Sequence, residues 1–430
     1  MREDYDSIEK KLSQMASPGI RPGLARLARL LREAGMPQEK FTAVHIVGTN
    51  GKGSAAAAIY SALRASGYSA ALYTSPHLVD FSERLMIDGE CAPAQSWLAA
   101  IDEIERVIEK NPFFEDNRPT YFELVTAAAI LIIARERPEA AVFEAGMGGR
   151  LDASNILKDV ALSLITPIGL DHTEYLGESL EEVAAEKFAV MRRGVPALFF
   201  GGEGLNRQFR EAAARQGAEA HIFSEEYRIS NRRSSLKGNR FTLTGGGEVR
   251  EYFTPLAGTF QAENAALAAA ALKLLSRRFP RITEESAARG IAAAEWPGRM
   301  ELLRDDPPLL LDGGHNPHAM RRLAETMEEI SEGRPFNIVL AMMRDKDIET
   351  ALGCLRRLNA VIFCTEVPGS ERSLSAEEMK GAAERAGLTA RGPYREPERA
   401  LAKASAGGVP AICCGSLFLV GYMKRKLNEL

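Results

Sequence analysis

One short segment places a strand, a glycine-rich turn and a helix in immediate succession. The apolar run 44–47 leads into the turn 48–54, and the alanine-rich run 55–65 follows it. Backbone N–H groups of such a turn and the positive end of the helix dipole suit a polyphosphate. The turn also carries a lysine and a serine, which can reach a phosphate and a phosphate-bound Mg²⁺. The sequence therefore predicts nucleotide contacts from Gly48, Thr49, Asn50, Gly51, Lys52, Gly53 and Ser54.

The spacing within this turn differs from that of the ordinary P-loop. Gly48 precedes Lys52 by four positions, whereas the P-loop glycine precedes its lysine by about six. Gly53 also separates the lysine from the hydroxyl of Ser54. A glycine-rich turn without a ligand is the alternative, but a glycine, a lysine and a serine between strand and helix favour phosphate binding.

Composition and charge limit the partners of the chain. It has 430 residues, 45% of them hydrophobic, and a net charge of −4, which predicts two domains and no general attraction to nucleic acid or to an anionic membrane. The charged start 1–15 has no apolar signal-peptide core, and the apolar run 127–134 is too short to span a bilayer. Five cysteines, with Cys413 and Cys414 adjacent in an apolar run, indicate buried reduced thiols. We therefore expect a cytoplasmic protein.

Short apolar runs alternate with longer runs rich in alanine, leucine and glutamate, which predicts parallel strands joined by crossover helices. The predicted strands of the first series are 44–47, 70–73, 141–143, 160–165 and 197–200. A small antiparallel meander is predicted from the runs 227–229, 241–244 and 251–253. The second series has strands 309–312, 337–340, 360–364 and 411–414.

A Pro-Gly break at 297–298 separates the two series. It predicts a first domain of residues 1–295 and a second of residues 296–430, with a single fused sheet as the alternative. The predicted fold class is α/β: a P-loop-type, mainly parallel sheet domain with a small antiparallel meander, plus a smaller Rossmann-like α/β C-terminal domain. Ligands of such sheets bind outside the carboxyl ends of the strands.

Glu144 is the best carboxylate for a metal ion in the sequence. It follows the apolar run 141–143 and precedes the glycine-rich segment 146–149. Mg²⁺ prefers oxygen ligands and is usually held by one or two carboxylates beside phosphate. Ser54 and Ser75 are candidate hydroxyl ligands. The alternatives are structural, because Glu144 can cap the following turn and a serine before proline is common in turns.

The turn GTNGKGS resembles the phosphate loop of the Mur ligase superfamily, and the chain is similar to its folylpolyglutamate synthase and dihydrofolate synthase branch. Matching segments follow in the order of that family at 73–78, 120–123, 144–155, 170–172, 186–187, 264, 297–299, 312–317, 345–347 and 415–417. The resemblance implies an ATP-dependent ligase. Such an enzyme converts an acid, dihydropteroate or a folate, to an acyl phosphate and joins it to the amino group of L-glutamate.

The same resemblance implies a metal site and a modified lysine. His172 occupies the place of a metal-binding histidine, although a lone histidine is more often a hydrogen-bonded structural residue. The resemblance also supports Ser75 as a metal ligand. Lys187 occupies the place of a lysine that is carbamylated in related ligases, where the carbamate supports metal binding. A carbamate needs a neutral amine and hence a buried one, and a surface lysine paired with neighbouring glutamates is the alternative.

Other matching residues are expected to contact the nucleotide and glutamate. Asn264 can present its amide to adenine, and Arg299 can place a guanidinium on the transferred phosphoryl group. By resemblance, Asp312 lies near the ribose and phosphates and His315 near the incoming glutamate. The family more often has Asp-Gly-Ala-His here, so Gly314 is a departure that keeps the polar residues.

For the acid substrate the expected lining residues are Thr120, Phe122 and Asp152. Phe122 can stack on a flat ring, and Asp152 can accept hydrogen bonds from amino and ring N–H groups. Core packing and turn formation are the alternatives. The residues expected to take direct part in the chemistry are Lys52, Lys187, His172, Arg299 and His315, and those expected to hold the metal are Ser54, Ser75, Glu144, His172 and Lys187.

Two other functions fit the same nucleotide motif. A cell-wall amino-acid ligase of the same superfamily is disfavoured because the folate-branch segments match better. A nucleotide-binding module without turnover is disfavoured because the polar residues of the site are intact. The sequence leaves open whether the acid is dihydropteroate, tetrahydrofolate or both. We expect a monomer whose partners are small molecules.

Overall fold

The largest sheet has eight strands in the computed structural model, which describes residues 2–202 and 204–428. In chain order they are β1 (Ala43–Val47), β2 (Ala70–Tyr73), β3 (Leu85–Ile87), β4 (Glu90–Cys91), β5 (Ala140–Glu144), β6 (Val160–Ile165), β7 (Pro196–Phe199) and β8 (Glu219–Ile222). Their spatial order is β4-β3-β2-β5-β1-β6-β7-β8. From β2 onward in this order the strands run parallel, and β3 and β4 add an antiparallel hairpin at one edge.

Helices alternate with the strands along the chain, as predicted. They are α1 (Arg2–Met15), α2 (Ala25–Glu33), α3 (Lys52–Ala65), α4 (Ala94–Lys110), α5 (Phe113–Asp116), α6 (Tyr121–Glu136), α7 (Thr173–Leu176), α8 (Leu180–Phe188), α9 (Leu205–Gln216), α10 (Phe223–Glu226), α11 (Thr259–Leu275), α12 (Glu284–Ala292), α13 (Pro317–Ser331), α14 (Ile348–Gly353), α15 (Ala376–Arg385), α16 (Pro397–Ala404) and α17 (Leu417–Asn428).

Helix α3, which begins in the phosphate turn, is closely packed along its length. Its residues 53–60 are all buried. A Cβ atom on Gly290 of α12 would lie only 2.2 Å from the Cα atom of Ala62 in α3. Larger side chains at this crossing would push the two helices apart. Alanine and glycine therefore allow α12 to fix the position of α3.

Two clusters of apolar side chains pack against the large sheet. One contains Tyr73, Trp97 and Phe143 and draws on α1, α2, α4 and α6. The other contains Phe188 and Phe199 and draws on α8 and α9. Every residue of β1 is buried, as expected for a central strand of a parallel sheet.

Two smaller sheets follow. The predicted meander consists of β9 (Tyr227–Ser235), β10 (Gly238–Gly245) and β11 (Glu248–Thr254), in the order β11-β10-β9. Successive strands of the meander are joined by only two residues, which is long enough for antiparallel neighbours but not for parallel ones. The third sheet consists of β12 (Glu301–Asp305), β13 (Pro308–Leu311), β14 (Phe336–Leu340), β15 (Ala360–Thr365), β16 (Ala390–Tyr394) and β17 (Ala411–Cys414). Its order is β12-β13-β17-β14-β15-β16, with only β12 antiparallel to its neighbour, and the predicted α/β fold class is confirmed.

The chain divides into two compact units. The first comprises Met1–Arg228, Leu243–Arg250 and Asn264–Ala294, and the second comprises Ile229–Thr242, Glu251–Glu263 and Glu295–Leu430. The predicted domains 1–295 and 296–430 follow the order of the sequence, whereas these units interleave. The exact domain division therefore stays a prediction.

The five cysteines are free thiols, and burial differs among them. Cys364, Cys413 and Cys414 are buried, whereas Cys91 is exposed. The expectation of buried thiols is wrong for Cys91, because it lies in the two-residue edge strand β4, and Cys354 is only partly buried. Across the described residues, no helix combines the length and the apolar character needed to cross a membrane.

Candidate active site

The phosphate turn follows β1 and is held by the segment that follows the neighbouring strand β6. The Thr49 hydroxyl donates to the Gly169 carbonyl at 2.9 Å, and the Thr49 N–H donates to the Pro167 carbonyl at 3.0 Å. A Cβ atom on Gly48 would lie 1.9 Å from Thr166 Oγ1. Only glycine therefore lets the turn approach this segment so closely.

Gly51 joins the turn to α3 in a left-handed conformation, with φ at 87°. A Cβ atom at this position would lie 2.3 Å from Asn264 Oδ1. The structure thus brings Asn264 of α11 to the phosphate turn, although its contact with adenine stays a prediction. Ser54 is buried in the first turn of α3.

Two lysines converge on one carbonyl oxygen of the turn. Lys52 Nζ lies 3.2 Å from the carbonyl oxygens of Gly48 and Thr49. Lys187 Nζ donates to the Gly48 carbonyl at 2.9 Å. Their positive charges repel each other unless one amine is neutral or an anion lies nearby.

Helix α8 carries Lys187 into the interior. A reciprocal pair of hydrogen bonds between Ser179 and Glu182 caps its N-terminus. Lys187 is 2% exposed, so the alternative of a surface lysine is wrong. Burial, and secondarily the charge of Lys52, lowers the pKa of Lys187 to about 7.

Glu144 and Ser75 meet at the carboxyl ends of the adjacent strands β5 and β2. The Ser75 N–H donates to Glu144 Oε2 at 3.3 Å, and Glu144 is 6% exposed. Ser75 Oγ is buried and has no hydrogen-bond partner among the described residues. A carboxylate beside an unpartnered hydroxyl is a set of oxygen donors that fits Mg²⁺.

His172 lies apart from the buried part of the site. It is exposed and precedes the four-residue helix α7, with φ at 52°. In the ranges 2–202 and 204–428, no group of three or more His, Cys, Asp or Glu side chains is arranged to hold a metal ion. Metal ligation stays a prediction for all five residues of the expected set, Ser54, Ser75, Glu144, His172 and Lys187.

The three residues expected to line the acid site differ in their local roles. Thr120 Oγ1 caps α6 by accepting from the Glu123 N–H at 3.3 Å, so its structural role is clear. The Phe122 ring packs on the glycine segment, since a Cβ atom on Gly146 would lie 2.6 Å from its Cζ. Asp152 is 6% exposed and accepts from the Met147 N–H at 2.8 Å, and burial raises its pKa.

Two buried polar residues near Asp152 were not among the predicted site residues. His45 in β1 lies 2.8 Å from Ser154, which in turn donates to Asp152. The sequence feature that could have identified His45 is a histidine in the middle of an apolar strand. Its partner lies 109 positions away in the chain, and that distance hides the pairing from the sequence.

The second unit carries the other predicted polar residues at the end of β13. Asp312 is 3% exposed and accepts from the N–H groups of Met300 and Gly314 at 2.9 and 2.8 Å. Burial raises its pKa, against the opposing charge of Arg299. A Cβ atom on Gly313 would lie 2.7 Å from Arg299 Nη1, so Arg299 and Asp312 belong to one cluster.

His315 follows this cluster. Its Nδ1 lies 2.9 Å from the Gly313 carbonyl, which can only accept, so the neutral ring carries its proton on Nδ1. A Cβ atom on Gly314 would lie 2.7 Å from Asp312 Oδ1. Glycine at this position therefore leaves room for the Asp312 carboxylate.

The chain is similar to known ligases over most of its length. The family model of the Mur ligase middle domain matches residues 46–272, and that of the Mur ligase glutamate ligase domain matches residues 298–411. The Bacillus subtilis dihydrofolate synthase/folylpolyglutamate synthase is 33% identical over 81% of this chain and 82% of its own length. The Escherichia coli dihydrofolate synthase/folylpolyglutamate synthase is 30% identical over 86% of this chain and 83% of its own.

Solved structures agree with these similarities. Mycobacterium tuberculosis folylpolyglutamate synthase complexed with ADP has a TM-score of 0.88 at 29% identity, and E. coli FolC in complex with DHPP and ADP has a TM-score of 0.88 at 28% identity. Each covers 99% of this chain and 98% of its own. The resemblance predicted from the phosphate turn is confirmed. The chain belongs to the folylpolyglutamate and dihydrofolate synthase family of the Mur ligases, which are ATP-dependent enzymes that join an amino acid to an acid.

Proposed function

We propose that this chain joins L-glutamate to dihydropteroate or to a folate at the expense of ATP. The observation that carries the proposal is the convergence of Lys52 and Lys187 on the Gly48 carbonyl, at 3.2 and 2.9 Å. A glycine turn at a helix N-terminus with the Lys52 amine beside it suits a polyphosphate, and the buried Lys187 is held against the same turn.

The reaction has two steps. A carboxylate oxygen of the acid bonds to the γ-phosphorus of ATP while the bond to ADP breaks. The glutamate amine then bonds to the acyl carbon, the bond to phosphate breaks, and the amine loses its extra protons. Lys52 and Arg299 neutralise charge on the transferred phosphoryl group, so that positioning and electrostatics supply most of the catalysis.

Glu144, Ser75, Ser54 and His172 would hold Mg²⁺, which neutralises the phosphate charges when it is bound. We further propose that Lys187 carries a carbamate, formed by attack of its neutral amine on carbon dioxide with loss of one proton. The burial of Lys187 and its pKa of about 7 support this, because a neutral amine is the reactive form.

The remaining predicted residues divide between the substrates. Asn264 and Asp312 would contact the nucleotide, and His315 would contact glutamate. Thr120, Phe122 and Asp152 would line the acid site, where Asp152 accepts hydrogen bonds from the ring. We also propose that the protein is cytoplasmic and monomeric and has two domains, 1–295 and 296–430.

Purified protein with Mg²⁺, ATP and L-glutamate tests the proposal. Release of ADP and formation of a glutamyl product should require either dihydropteroate or tetrahydrofolate, and comparing the two acids identifies the preferred one. ATP consumption that is independent of both acids would contradict the proposal. Turnover with a nucleotide-sugar acid in place of either would favour a cell-wall ligase instead.

A further inference from the structure

Three buried polar side chains form a hydrogen-bonded series that starts in β1. His45 Nε2 lies 2.8 Å from Ser154 Oγ, and Ser154 Oγ donates to Asp152 Oδ1. His45 and Ser154 are fully buried, and Asp152 is 6% exposed. The series joins the strand that leads into the phosphate turn to the carboxylate proposed for the acid substrate.

The direction of these hydrogen bonds follows from the groups themselves. A carboxylate can only accept, so the single hydroxyl proton of Ser154 is committed to Asp152. Ser154 Oγ must then accept from His45, which requires the proton of the neutral imidazole to be on Nε2. Burial keeps this ring neutral, because it lowers the pKa of His45 to about 3.

The series fixes one side of the Asp152 carboxylate. Oδ1 accepts from both the N–H and the hydroxyl of Ser154. Oδ2 accepts from the Met147 N–H at 2.8 Å. A carboxylate oxygen has room for two donors, so Oδ2 keeps a lone pair for a further N–H donor.

Packing alone does not explain a histidine at this position. Its neighbours in the strand, Val44 and Ile46, are apolar and fully buried. His45 Nδ1 is buried and has no hydrogen-bond partner among the described residues. Burying such a nitrogen is unfavourable, and an apolar residue of similar size would avoid it.

We propose that His45 and Ser154 are positioning residues that orient Asp152 to accept a hydrogen bond from the N–H groups of the acid substrate. This inference rests on the proposed function, because it needs an acid with a flat, N–H-bearing ring. His45 and Ser154 do not touch that acid themselves. They act by holding Oδ1 so that Oδ2 faces one direction.

Steady-state kinetics of the full-length protein tests this, with dihydropteroate as the acid, or tetrahydrofolate if the wild type prefers it. Ser154→Ala and His45→Leu should each raise the KM for the acid about tenfold, the effect of one weakened hydrogen bond to a charged group. The KM for ATP should stay within about twofold. His45→Gln should raise the KM for the acid much less than His45→Leu, because its amide N–H can replace Nε2–H. Ser154→Thr should likewise raise it much less than Ser154→Ala, because it keeps the hydroxyl.

Thermal unfolding of each variant identifies those that are folded. Should Ser154→Ala not fold, His45→Leu carries the same test, because it leaves Ser154 in place. An unchanged KM for the acid in the folded variants, or an equal rise in the KM for ATP, would overturn the inference. Failure of the ligase assignment would look different, since the wild type itself would not consume ATP with either acid.

Discussion

Lys187 combines a position beside the phosphate turn with almost complete burial. Its amine donates to the Gly48 carbonyl, and the residue is 2% exposed. Above a pH of about 7 the amine is mostly neutral, and below it a buried positive charge must be accommodated next to Lys52. A carbamate would replace that charge with a negative one.

Replacement of Lys187 by alanine tests the carbamate. We expect turnover of Lys187→Ala to fall about 100-fold, the upper range for groups that support a metal site, and to recover in part when acetate is added. Lys52→Ala is the matched control and should show no recovery, because it lacks a cation rather than a carboxylate. A bare ammonium at Lys187 in a metal-loaded, nucleotide-bound crystal would rule the carbamate out.

Lys52 should matter for turnover and little for stability. Its side chain lies partly exposed at the N-terminus of α3, so Lys52→Ala should lower kcat about 100-fold or more and change the free energy of unfolding by about 1 kcal/mol at most. ADP release and urea unfolding measure the two effects. The exposed Lys158 provides the control, and equal turnover of Lys52→Ala and Lys158→Ala would refute the phosphate role.

Glu144 should set the magnesium requirement. Glu144→Gln keeps the shape of the side chain but removes its charge, so we expect the Mg²⁺ concentration for half-maximal activity to rise about tenfold or more. Glu139 precedes the same strand, is about half exposed and pairs with Arg281. Glu139→Gln should therefore leave the Mg²⁺ titration unchanged, and identical titrations for the two variants would contradict the metal role of Glu144.

At the level of elements, the alternation of strand and helix could be predicted from the sequence because buried parallel strands are apolar on both faces. The predicted runs 70–73, 160–165 and 411–414 coincide with β2, β6 and β17. The hairpin β3–β4 and the edge strands β8, β12 and β16 were not predicted. These strands are partly exposed, and β3 and β4 have only three and two residues, so their residues lack a continuous apolar signal.

The candidate site also has a part that could be predicted from the sequence and a part that could not. The phosphate turn is local, and its seven consecutive residues carry the whole motif. Contacts such as Asn264 beside Gly51 depend on the packing of distant segments. The resemblance to a family is what identified Asn264 as a candidate nucleotide contact. The residue pattern alone indicates only a polar residue in an alanine-rich helix.

The imidazole buried in β1 should make stability depend on pH. His45 in the folded protein takes up a proton only near pH 3, whereas in the unfolded chain it does so near pH 6.5. Between these values the unfolded state binds the extra proton, so stability falls as the pH falls. Relative to His45→Leu, the free energy of unfolding of the wild type should fall by about 1.4 kcal/mol for each unit by which the pH is lowered in this window.

Urea unfolding at a series of pH values measures this difference. His45→Gln has no titrating ring and should show the same shallow pH dependence as His45→Leu. Parallel curves for the wild type and both variants would contradict the burial of a neutral histidine.

At the scale of the whole molecule, one chain supplies every residue proposed for the site. We therefore expect an active monomer, with a mass of 46.9 kDa in sedimentation equilibrium at micromolar concentration, with and without nucleotide. A mass twice as large, with activity that falls on dilution, would contradict this expectation.

The packing of α12 on α3 has a consequence for biosynthesis. The phosphate turn emerges from the ribosome early, but the residues that close around it come much later in the chain. Asn264 lies beside Gly51, and Gly290 lies against Ala62. A nascent chain that ends before α11 contains the whole phosphate motif without these neighbours. We therefore expect nucleotide recognition to be acquired late in translation, long after the residues of the phosphate turn have been made.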